Sequence, residues 1–125
     1  MTYRNPLDYT LAMQTIVELP EFQRNSSDLL KDEEKVSIIN YLAFHPQMGD
    51  LIQGTGGIRK LRWSAQGRGK SGGVRVIYYY HNDTMPLFLL TIFGKGEKAN
   101  LSKAERNELA KFTGLLRKHY GGSNG

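Results

Sequence analysis

The segment that most narrows the fold is Leu87-Phe88-Leu89-Leu90-Thr91-Ile92-Phe93. It is almost wholly apolar, bounded by polar residues and glycine, and too short for a buried helix, so it reads as a strand. An amphipathic strand alternates apolar and polar residues. One that does not is central in its sheet and covered on both faces. The rest of the chain must therefore supply flanking strands and cover for both faces. With 125 residues there is room for one such domain, and its core needs no disulfide or metal to support it.

Composition removes several functional classes. There are no cysteines, hence no disulfide framework, no cysteine-based zinc site and no cysteine nucleophile. No apolar run approaches the ~20 residues of a membrane helix. The first residues also lack the basic-then-apolar pattern of a signal peptide, so a soluble, cytoplasmic protein without membrane partners is expected.

The other elements follow from pattern and punctuation. Residues 1–12 lack periodicity and read as a loose tail, 13–120 as one domain and 121–125 as a disordered end. Gln14 to Leu19 suits a first strand, after which Pro20 opens a short helix to about Arg24 and Asn25-Ser26-Ser27-Asp28 forms a turn. Asp32-Glu33-Glu34 places negative charge in the first turn of a second helix, where the dipole favours it. Val36, Ile38, Ile39, Leu42 and Ala43 give that helix a buried stripe, and His45-Pro46 ends it. After a glycine-bearing connection (48–57), Ile58 to Ser64 alternates as a strand. Ile58, Lys60 and Arg62 lie on one face, Arg59, Leu61 and Trp63 on the other. Val74 to His81 is the next strand. Ser102 with Glu105 is a capping box opening a last helix to about Lys118, its stripe Leu109, Phe112, Leu115 and Leu116. The order β-α-α-β-β-β-α predicts an α+β domain with a small, mainly antiparallel sheet packed by helices.

Charge is segregated along the chain. Residues 1–50 carry eight acids and four bases, residues 51–125 four acids and thirteen bases. Arg59, Lys60, Arg62, Arg68, Lys70 and Arg75 fall between Ile58 and Arg75 without a carboxylate among them, in a stretch rich in glycine. Cations gathered on loops where the backbone can approach a ligand point to a polyanion, of which nucleic acid is the commonest. Arg75 interrupts an apolar strand just after Gly72-Gly73, and a planar guanidinium there suits bidentate binding of phosphate. Lys60 and Arg62 can converge with it across a hairpin, with Lys95 and Lys98 arriving from the end of the apolar strand. Tyr78, Tyr79 and Tyr80 offer rings for stacking on bases, although alternation commits at least one of them to the core. His81 shares the strand parity of Arg75 and Tyr79.

Two other chemistries fail on inspection. Gly69-Lys70-Ser71 lacks the earlier glycine of a P-loop, since position 64 is Ser64, and a strand follows it where a helix is required. His45, His81 and His119 are neither spaced as metal ligands nor set beside paired carboxylates.

The stretch IQGTGGIRKLRWSAQGRGKSGGVRVIYYY, followed by LFLLTIFGKGEKANLSKAERNEL, resembles the HigB branch of the RelE-type toxins of bacterial toxin–antitoxin systems. The resemblance covers residues 14–118 in element order and is specific over 51–110. It implies an endoribonuclease that cuts mRNA in the ribosomal 30S A site, by attack of a ribose 2′-OH on its own 3′-phosphate, with no metal or other cofactor. It also implies a cognate antitoxin, often bearing a helix-turn-helix DNA-binding domain. Arg75, Lys60, Lys95 and Lys98 take the catalytic positions. Arg59, Arg62, Arg68, Lys70, Tyr79 and His81 are the expected RNA contacts. The family's catalytic tyrosine has no counterpart in Ala99-Asn100-Leu101-Ser102, and Gly96 stands where an arginine is usual. A lysine crowded by other cations can act as base, with Lys95 the first candidate and Lys60 the second. A gyrase poison of the related ParE type, and a non-catalytic module that binds RNA or the ribosome, are the alternatives.

Overall fold

A computed structural model of the chain describes residues 13–64, 73–98 and 100–120. The expected tails at 1–12 and 121–125 lie outside these residues, as do Arg68 and Lys70. The described chain runs β1 (Ile16–Glu18), α1 (Pro20–Leu29), α2 (Asp32–Phe44), β2 (Asp50–Leu51), β3 (Ile58–Ser64), β4 (Gly73–Tyr79), β5 (Leu87–Gly94) and α3 (Lys103–Tyr120). The five strands form one sheet in the order β1-β5-β4-β3-β2, with β1 parallel to β5 and the other pairs antiparallel.

The apolar strand β5 is buried along its whole length between β1 and β4. On one face Leu87, Leu89 and Ile92 join Val74, Val76, Tyr78 and Leu61 against Phe22 of α1 and Ile38 and Leu42 of α2. On the other, Phe88, Leu90 and Phe93 join Ile58, Ile77, Tyr79 and Met85, with Leu109 and Leu116 of α3 packed against them. The face of β5 changes parity along the strand because of a bulge. Tyr78 pairs with Leu89 and Ile77 with Thr91, leaving Leu90 as an extra residue.

Four expectations are corrected. First, α1 continues through Asn25-Ser26-Ser27-Asp28 to Leu29. The Ser26 and Ser27 hydroxyls bond back to the carbonyls of Gln23 and Arg24 inside the helix, and Asn25 donates to the Thr91 hydroxyl at 3.2 Å. Tertiary contact thus overrides the turn preference of these residues. Second, the 48–57 connection contains a short strand, Asp50 and Leu51 pairing with Lys60 and Arg59. Third, β4 stops at Tyr79, so His81 lies beyond it. Fourth, Val36 on α2 and Leu115 on α3 are 55 % and 65 % exposed, and the buried side of α3 is turned toward Thr113, which lies against the 52–57 loop.

Helix entry follows the sequence closely. Glu34 accepts from the Lys31 N–H at 2.9 Å at the start of α2. At α3 the box is reciprocal, with Ser102 N–H donating to Glu105 Oε1 at 2.8 Å and Glu105 N–H to Ser102 Oγ at 3.1 Å. Gly54, Gly56 and Gly57 adopt positive φ in the turn before β3, a backbone only glycine enters readily.

Candidate active site

Alternation in β3 and β4 decides which cations meet. Arg62 stands directly opposite Arg75, and Lys60 opposite Ile77, all on the face that carries α3. That helix covers only one end of the face, packing Leu109 and Leu116 on the cluster that holds Ile58, Tyr79 and Phe88. At the other end Arg62, Ser64, Gly73, Arg75 and Lys95, with Trp63 at the rim, line an open cleft of about 230 Å³. Lys95 is delivered there because its N–H bonds to the Gly73 carbonyl at 3.0 Å, tying the chain after β5 to the start of β4.

Two arginines directly opposed across an antiparallel pair repel each other and weaken the sheet. Among the described residues neither has a carboxylate partner, and neither do Lys60 and Lys95. Charges left in this state bind an anion with little competition from within the protein. Two other clefts, of about 350 and 450 Å³, carry mainly carboxylates, Glu21, Asp28 and Glu97 beside Lys98 in one and Glu33 and Glu34 in the other, so they suit a polyanion less well.

Lys98 differs from its neighbours. Its ammonium lies 2.6 Å from Glu105 and 4.9 Å from the centre of the Phe93 ring. Lys98 first, then the Ser102 N–H, holds the Glu105 carboxyl below the usual glutamate range. Lys60 is tied instead to a neutral group, donating to Asn100 Oδ1 at 2.7 Å.

Three expected RNA contacts are placed elsewhere. Arg59 points to the α1–α2 side, where its Nη1 donates to the carbonyls of Gln47 and Gly49 at 2.9 and 2.8 Å. There it works with Tyr78, whose hydroxyl donates to the Pro46 carbonyl and accepts the Gly49 N–H, each at 2.8 Å. Both hold the 46–49 segment, and burial pushes the Tyr78 phenol up. Tyr79 is wholly buried, its hydroxyl bonded to Arg117 at 3.2 Å, so no base can stack on it. Four strand steps, roughly 13 Å, separate it from Arg75. His81 stacks on Tyr79 at 6.3 Å between centroids, at the end of the sheet away from the cleft. Tyr80 is no freer, since its hydroxyl donates to Asp83 at 2.7 Å; burial, then this bond, push its phenol up to about 12. The residue that sequence reasoning missed is Asn100, a single amide forty positions from Lys60 with no local pattern to mark it.

Among the described residues no group of three or more His, Cys, Asp or Glu side chains could hold a metal ion. No helix among them is long and apolar enough to cross a membrane.

Fold and site together define a small α+β domain with a cluster of cations that has no carboxylate partner among the described residues. The chain matches the model of the RelE toxin of the RelE/RelB toxin–antitoxin system over residues 19–120. It belongs to that family, and so is a toxin of a toxin–antitoxin system. Such toxins are generally ribonucleases that inhibit translation, and each has a cognate antitoxin.

Proposed function

We propose that this toxin is a ribosome-dependent endoribonuclease of the HigB type that cuts mRNA in the 30S A site, with the Arg62–Arg75 cleft as its active site. The observation that carries the reading is the direct cross-strand opposition of Arg62 and Arg75 beside Lys95, without a carboxylate partner among the described residues. An arrangement that costs the free sheet stability is explained by a ligand that brings negative charge.

In the reaction, a ribose 2′-oxygen bonds to the adjacent phosphorus, the phosphorus–5′-oxygen bond breaks, and a 2′,3′-cyclic phosphate and a 5′-hydroxyl result. Charge builds on the non-bridging oxygens and on the leaving oxygen as the phosphorane forms. Guanidiniums carried side by side on two paired strands stabilise that charge without moving the backbone that bears them. Arg75 and Arg62 take the phosphate, the unprotonated amine of Lys95 takes the 2′-OH proton, and the Lys60 ammonium, one residue pair further along the same face, gives a proton to the leaving 5′-oxygen. Lys98 is committed to Glu105 and holds the strand-to-helix connection. The family's cognate antitoxin, here one with a helix-turn-helix domain, keeps the toxin inactive in the cytoplasm.

Primer extension on a defined mRNA in reconstituted translation tests this reading. Cuts at A-site codons with wild type, lost with Arg75→Ala, are expected. Intact mRNA with folded wild type would overturn the reading, and gyrase-linked DNA breaks in its place would indicate the ParE-type activity.

A further inference from the structure

We infer that Asn100 is a positioning residue for Lys60, holding its ammonium over the active-site face without neutralising it; the inference rests on the cleft acting as proposed above. Two lysines of this region receive opposite treatment. Lys98 meets the Glu105 carboxylate at 2.6 Å, which compensates its charge. Lys60 meets the Asn100 amide oxygen at 2.7 Å, which takes one of its three N–H donors and leaves the charge and two donors for a ligand. A free lysine side chain samples many rotamers, so one fixed acceptor restricts where its charge is delivered.

The backbone carrying Asn100 is itself held on both sides. Before it, Gly94 N–H donates to Glu97 Oε1 at 2.8 Å and Lys95 N–H to the Gly73 carbonyl. After it, Leu101 is buried, its carbonyl accepts from Arg106 at 3.1 Å, and the Ser102–Glu105 box opens α3. Asn100 is exposed and belongs to no helix or strand, so its replacement leaves the core alone. It also stands in the Ala99–Ser102 stretch, where the resemblance led to a tyrosine and the chain has none. An amide cannot exchange protons as a phenol does, and what it offers is an acceptor for the lysine facing it.

The test is a double-mutant cycle in single-turnover cleavage on programmed ribosomes, with Asn100→Ala, Lys60→Ala and the double variant. Asn100→Ala should slow cleavage by on the order of tenfold, with the ribosome concentration for half-maximal rate unchanged. In the Lys60→Ala background the same change should have no further effect. An unaltered rate in the single variant, or an equal loss on both backgrounds, overturns the inference. A second readout needs no activity. The two Hε protons of Lys60 should be inequivalent by NMR in wild type and merge in Asn100→Ala, and identical Lys60 signals in both proteins would refute the contact. Wild type that leaves mRNA intact defeats the proposed function, and the Lys60 spectra then decide the contact separately.

Discussion

The two ends of one sheet face make the instructive comparison. Both are built from the same three strands, and in β3 and β4 from the same parity of residues. At one end Ile58, Tyr79, Phe88 and Met85 are buried under α3 and the 52–57 loop. At the other, Arg62 and Arg75 occupy equivalent positions in the open. The covered end gains the burial that stabilises the domain, while the open end gives up cross-strand attraction to hold a set of charges. Stability and chemistry are thus separated along a single pair of strands, and substitutions at the two ends should have distinguishable effects.

The largest effect should fall on the covered end. Phe88→Ala removes a ring packed against Tyr120 and the α3 side of the core, and should cost about 3–5 kcal/mol in denaturant unfolding. Arg75→Ala should lower cleavage by a factor on the order of 10²–10³. It should leave the free energy of unfolding within about 0.5 kcal/mol of wild type, since among the described residues the side chain hydrogen-bonds only its neighbour's carbonyl. A comparable loss of stability in both variants would break the comparison.

Glu105→Gln occupies the middle of the range. It weakens the α3 cap and the pair with Lys98, for an expected loss of about 1 kcal/mol. Because the folded state holds the Glu105 carboxyl below its ordinary value, the native side chain's contribution is present above ~4.3 and disappears as pH falls through the lower folded value. The stability difference between wild type and Glu105→Gln should therefore close on acidification; a constant difference would show that the charge plays no part. Arg62→Leu should give the smallest effect and the opposite sign. Relief of the repulsion with Arg75 should stabilise the fold by about 0.2–1 kcal/mol while cleavage falls. Destabilisation by this change would mean that the arginine pair is not a strained arrangement.

How much of this was legible depends on the range of the interaction concerned. Alternation in Ile58–Ser64 by itself separates Lys60 and Arg62 from Arg59, and Arg59 does lie on the opposite face, bonded to Gln47 and Gly49. Counting Arg59 among the RNA contacts set that parity aside. The unbroken apolar run of β5 and the Ser102–Glu105 box were equally plain, because each is a property of consecutive residues. The bulge at Leu90 was hidden, and so was the length of α1, which depends on a bond from Asn25 to Thr91 across sixty-six residues.

The order of the helices and of the strands other than the short β2, the parity that gathers Lys60, Arg62 and Arg75 on one face, and the positive second half of the chain were determined by the sequence alone. They follow from backbone periodicity and the charge of neighbouring residues, which act locally. Tertiary structure decided that Arg62 stands opposite Arg75, that α3 stops short of them, that Tyr79 is core, and that Asn100 meets Lys60. These depend on register and packing between segments tens of residues apart, where small differences in fit outweigh any local preference.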